Sequence, residues 1–119
     1  MYQLRYADIQ TDSQMDAKER ERAVIERSIE LLCEAQAQGS KSFAAVEAIH
    51  YTMRVWSAFM EDLARDENQL PKELRASLIS IGIWILKEVE AIRMDPAKDF
   101  ESLIDISRII IGGIDEKHA

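Results

Sequence analysis

Between Pro71 and Asp95-Pro96, apolar residues recur every three or four positions: Leu74, Leu78, Ile81, Ile85, Val89 and Ile92. That spacing is the helical period and excludes a strand, whose side chains alternate faces. Ile79, Ile83 and Leu86 fall almost opposite this stripe, so the helix is apolar on two sides and both need cover. Charge agrees, because residues 71–96 carry four basic and four acidic side chains in a chain whose formal charge is −7. Such a helix stands at the centre of its domain or shares a face with a partner. Gly82 in its middle costs about 1 kcal/mol relative to Ala, which a close approach by another helix would offset.

The same period marks three other segments, divided at Gly39-Ser40, at Asp66 to Pro71 and at Met94 to Pro96. The spacing predicts helices over 13–38, 42–65, 71–93 and 97–112. Pro71 and Pro96 suit the first helical position, Asp95 is placed to cap the last helix, and Gly112-Gly113 to stop it. In the first segment Val24, Ile25, Ser28, Leu31, Leu32 and Ala35 share a face, while Arg22, Glu26 and Glu30 point away. In the second, Phe43, Val46, Ile49, Met53, Trp56, Met60 and Leu63 form one broad stripe that should face the core. With 119 residues there is room for one real core, and 4 Gly and 2 Pro are too few turn formers for a β-sandwich. The expected fold is all-α: a small bundle of about four helices in a single domain over 1–119, with an N-terminal arm at 1–12 and a C-terminal tail at 113–119.

No segment has the cationic excess that neutralises phosphates, so direct nucleic-acid binding is disfavoured. The longest uncharged stretch, Ala76 to Leu86, falls short of the roughly 17 to 25 residues a membrane helix needs, and the first residues form no apolar leader. One cysteine, Cys33, makes no internal disulfide and suits a reducing compartment. These features fit a soluble cytoplasmic protein without membrane insertion.

Glu47 and His50 have the Glu-x-x-His spacing of di-iron bundles, but that site needs a second such pair and two further carboxylates. The other histidine, His118, falls in the expected tail. His50, beside Val46, Met53 and Ser57 on the wheel, therefore reads as a hydrogen-bonded core residue rather than a ligand. Cys33, flanked by Glu30 and Glu34, reads as packing. There is no nucleophile elbow, phosphate loop or zinc spacing. No catalytic, cofactor or metal residue is expected, and the chain reads as a non-enzyme. Of the two tryptophans, Trp56 lies at the edge of the second stripe and Trp84 off the main stripe of the third; a lone Trp in a small helical domain is more often core than interface.

Two blocks carry a resemblance. Trp56-Ser57-Ala58-Phe59-Met60-Glu61-Asp62-Leu63, followed by Glu67-Asn68-Gln69-Leu70-Pro71 and Leu74-Arg75-Ala76-Ser77-Leu78-Ile79-Ser80 ending in Ile83-Trp84, resembles the flagellar biosynthesis regulator FlaF family of alphaproteobacteria. Tyr2 and the Arg- and Glu-rich opening of the first helix extend the likeness, which is weakest after Met94. The resemblance implies a small helical protein needed for flagellin production and filament assembly, hence for motility. It implies action opposite FlbT, a post-transcriptional repressor of flagellin, and engagement of flagellin as an export chaperone. An acidic chain with spare apolar helix surface suits a protein partner better than a transcript. The expected partner is flagellin, held by Ile79, Ile83, Trp84 and Leu86; FlbT is the alternative partner, and a second copy of the chain is a further way to cover the face.

Overall fold

The computed structural model describes residues 13–118, with side chains from residue 19 to residue 113. The arm expected at 1–12 lies outside the described residues. Four helices follow one another: α1 (Ser13–Gln38), α2 (Phe43–Ala64), α3 (Lys72–Met94) and α4 (Glu101–His118). No strand occurs among the described residues.

Each link is built by local hydrogen bonding. Gly39 takes a left-handed φ of 104° after α1, a conformation that suits a residue without Cβ. Ser42 then caps α2, its Oγ accepting from Ala45 N at 3.1 Å. Between α2 and α3, Asn68 Nδ2 donates to Asp62 O at 3.2 Å and Asp62 Oδ2 at 3.1 Å, while its Oδ1 accepts from Leu70 N at 3.1 Å. Arg75 Nε closes the corner by donating to Leu63 O at 2.6 Å. Pro71 is the cap of α3, one position earlier than the sequence suggests.

In space α2 lies between α1 and α3, and α4 packs along α1 but meets α3 at only a few points. Leu32, Trp56, Ile85, Val89, Phe100 and Leu103 fill the core, one or more from every helix or its entry. The face expected of α1 is the one it buries. The face expected of α2 is buried only in part: Trp56 and Leu63 of that stripe are buried, but Phe43 is 80% and Val46 61% exposed, and Ala44, Ala45, Ala48 and Thr52 are buried in their place. Ala45 and Ala48 share the core cluster with Leu31, Leu32 and Ala35 of α1, and close packing by these small side chains outweighs the hydrophobicity of Phe43 and Val46. His50 turns outward with Val46 and Met53 and is exposed, so it is a surface residue rather than a core one.

The start of α4 is also displaced. Asp95 does not cap it; Asp95 Oδ1 accepts from Ala97 N at 3.0 Å in a turn, and Asp99 Oδ1 accepts from Glu101 N at 3.1 Å at the true helix start. The delay lets Phe100 enter the core while its N–H donates to Gln36 Oε1 of α1 at 2.8 Å. At the far end α4 runs through Gly112-Gly113 to His118, so no stop falls at the glycines and the expected tail is largely helical.

The two ends of the bundle differ. At one end, Ser40 Oγ donates to Pro96 O at 2.9 Å and Gln36 holds Phe100, tying the α1–α2 link to the α3–α4 link. At the other, Ile25, Trp56, Leu63, Leu70, Leu78 and Ile110 surround a cleft of about 120 Å³.

Candidate functional site

The side of α3 that holds the helix in place is Ile85, Val89 and Ile92, all buried. Gly82 lies beside Trp56 and Met60 of α2, so the close approach that its position suggested is made. Around the rest of its circumference α3 stays partly open. Ile83 and Trp84 are each 44% exposed, and Ile79 and Leu86 are half-buried.

These four residues do not form one patch. Consecutive helical residues point about 100° apart, so Ile83 and Trp84 open in different directions. Ile79 and Leu86 lie three and four positions from Gly82, which faces α2, and Ile83 is one turn from Ile79, so these three share the α2-side flank. Trp84 is one turn from Glu88, whose carboxylate accepts from Ser102 Oγ at 2.8 Å and Lys98 Nζ at 3.1 Å, and so faces the α4 side. Ser102 and Ile109, two turns apart, share a face of α4, and Ile109 is 68% exposed. Trp84 and Ile109 therefore flank the seam where α3 and α4 part, with Leu78, Ile110 and Trp56 at the cleft beneath.

Leu78, Ile109 and Ile110 thus extend the surface beyond Ile79, Ile83, Trp84 and Leu86. The Ser102–Ile109 spacing was the available signal for Ile109. It lacked meaning until Glu88 identified which face of α4 turns toward α3.

The electrostatics of the seam centre on Glu88. The hydrogen bond from Ser102 is the main influence holding its carboxyl below the usual carboxylate range, and Lys98 adds to it, against a partial burial that works the other way. Cys33 of α1 is half-buried and receives a weak hydrogen bond from Arg108 Nη2 at 3.8 Å, a basic neighbour invisible in the local sequence. Among the described residues no three His, Cys, Asp or Glu gather as a metal site, and no helix is long and apolar enough to cross a membrane.

The residues behind the family likeness have two duties. Asp62, Asn68, Leu70 and Arg75 build the α2–α3 corner, whereas Leu78, Ile79, Ile83 and Trp84 supply the open surface beside it.

Comparison with curated proteins and with solved structures finds no match. A family model described as flagellar protein FlaF matches residues 2–114, nearly the whole chain, and the chain therefore belongs to the FlaF family of flagellar proteins.

Proposed function

We propose that this protein is a cytoplasmic, non-enzymatic flagellin-binding protein, a regulator of flagellum assembly that shields flagellin before export. The observation that carries the reading is the pair Ile83 and Trp84, both well exposed on a helix whose opposite side is sealed in the core. Exposed aliphatic and aromatic side chains on a helix flank suit an amphipathic helix, and flagellin's terminal segments, as the family likeness implies, are of that kind. Ile79 and Leu86 widen the contact on one flank and Ile109 on the other. No reacting group is needed, because shielding requires only that apolar surface be covered.

Isothermal calorimetry with purified flagellin, and with flagellin lacking each terminal segment, tests partner and region together. Ile83→Asp should abolish the heat of binding while shifting stability by no more than about 0.5 kcal/mol, as surface changes do. Ile85→Ala, in the core, should cost about 2 to 5 kcal/mol. An Ile83→Asp variant that unfolds would make that face core and refute its role as an anchor. Binding of FlbT but not flagellin under the same conditions would replace the chaperone reading with a regulatory one.

A further inference from the structure

On the flank of α2 away from α3, α1 and α2 enclose a groove of about 510 Å³ between Val24, Tyr51, Val55, Ala58 and Phe59, with Arg20 and Arg54 on its lining. The groove belongs to neither side of α3. Its wall is apolar and aromatic, and Val24, Tyr51, Val55 and Phe59 are only half-buried.

Its charge is opposite to that of the molecule. The chain carries a net −7, yet two arginines stand at this groove. Arg22, Arg27, Arg75, Arg93 and Arg108 each have a partner in the structure. Arg20 and Arg54 have none among the described residues; Arg65, in the α2–α3 link, is the other. Glu21, the acidic residue of the groove, already has an interaction of its own. Tyr and Arg around an apolar depression are the residue types that dominate binding energy at interfaces, and a guanidinium offers a carboxylate a two-pronged hydrogen bond.

We propose that this groove is a second docking surface for the same flagellar partner, and that it takes a segment bearing carboxylates beside aliphatic or aromatic side chains. The inference rests on the partner reading above. The carboxylates meet Arg20 and Arg54, while the apolar side chains cover Val55 and Phe59. In a protein of this acidity the groove selects by sign, since an acidic segment is repelled over most of the remaining surface.

The test uses the full chain and purified flagellin at 50 and 300 mM salt. Arg20→Glu combined with Arg54→Glu should weaken binding at least tenfold at low salt, flatten its salt dependence and leave the melting temperature unchanged. Lys41→Glu combined with Lys72→Glu makes the same charge change away from the groove and should weaken binding by much less. If the wild type fails to bind flagellin, the partner reading itself falls. If the wild type binds and the two double variants behave alike, the groove proposal falls and the partner reading stands. If the arginine variant binds normally but melts several degrees lower, residues of the chain itself cover the groove, and the proposal is overturned.

Discussion

Gly82 of α3 stands directly against Trp56 of α2: a β-carbon at residue 82 would lie 3.3 Å from Trp56 Cε3 and would overlap Met60 Sδ. The indole is 2% exposed and has nowhere to retreat, although the Met60 side chain can turn. Gly82→Ala gains about 1 kcal/mol in helix propensity and loses more through this crowding, for a net destabilisation of about 1 kcal/mol. Gly82→Val should cost more still. Urea denaturation checks both, and a stabilised Ala variant would contradict the tight contact.

Asn68 joins the end of α2 to the entry of α3 through Asp62 and Leu70. Asn68→Ala removes these bonds at an exposed corner and should cost about 1 kcal/mol. Amide exchange should quicken across residues 65–70 and stay slow at Val89. Uniformly faster exchange would instead mean that the corner governs the whole fold.

Glu88 sets a pH dependence. Its folded-state pKa is lowered, so its contribution to stability is present above the unfolded carboxylate value of about 4.3 and is lost as pH falls through the folded value. Glu88→Gln should therefore melt lower than the wild type at pH 7 and converge with it in strong acid. Parallel melting curves from pH 7 down to pH 2 would show that the Ser102 and Lys98 bonds contribute nothing through ionisation.

Trp56 and Trp84 differ in access to solvent, one buried and the other 44% exposed. Acrylamide should quench the wild-type emission in two components. Trp84→Phe should leave only the protected, blue-shifted one. Efficient quenching of that variant would contradict the burial of Trp56.

Helix number and order were legible because the apolar period is long and the breaks are marked by Gly39, Asn68-Gln69-Leu70-Pro71 and Pro96. The face of α2 was legible only in its second half, at Trp56 and Leu63. A wheel ranks side chains by greasiness, whereas α1 and α2 pack through Ala44, Ala45 and Ala48, and closeness of approach overrode bulk. The start of α4 was hidden because it depends on a hydrogen bond between Phe100 and Gln36, 64 positions apart. Of the candidate site, Ile83 and Trp84 were identifiable from their places off the main stripe. Their division between two flanks, and the company of Ile109, depend on how α3 and α4 diverge.

The cross-ties of Gln36, Ser40, Pro96 and Phe100 sit at the end of the bundle opposite the cleft. The Arg75–Leu63 bond ties α2 to α3 at the cleft end as well, so of the helices around the cleft it is α4, which meets α3 at only a few points, whose displacement from α3 leaves all these bonds in place. Any guest larger than the cleft of about 120 Å³ would have to lift α4 about the tied end, the displacement that costs the fewest hydrogen bonds.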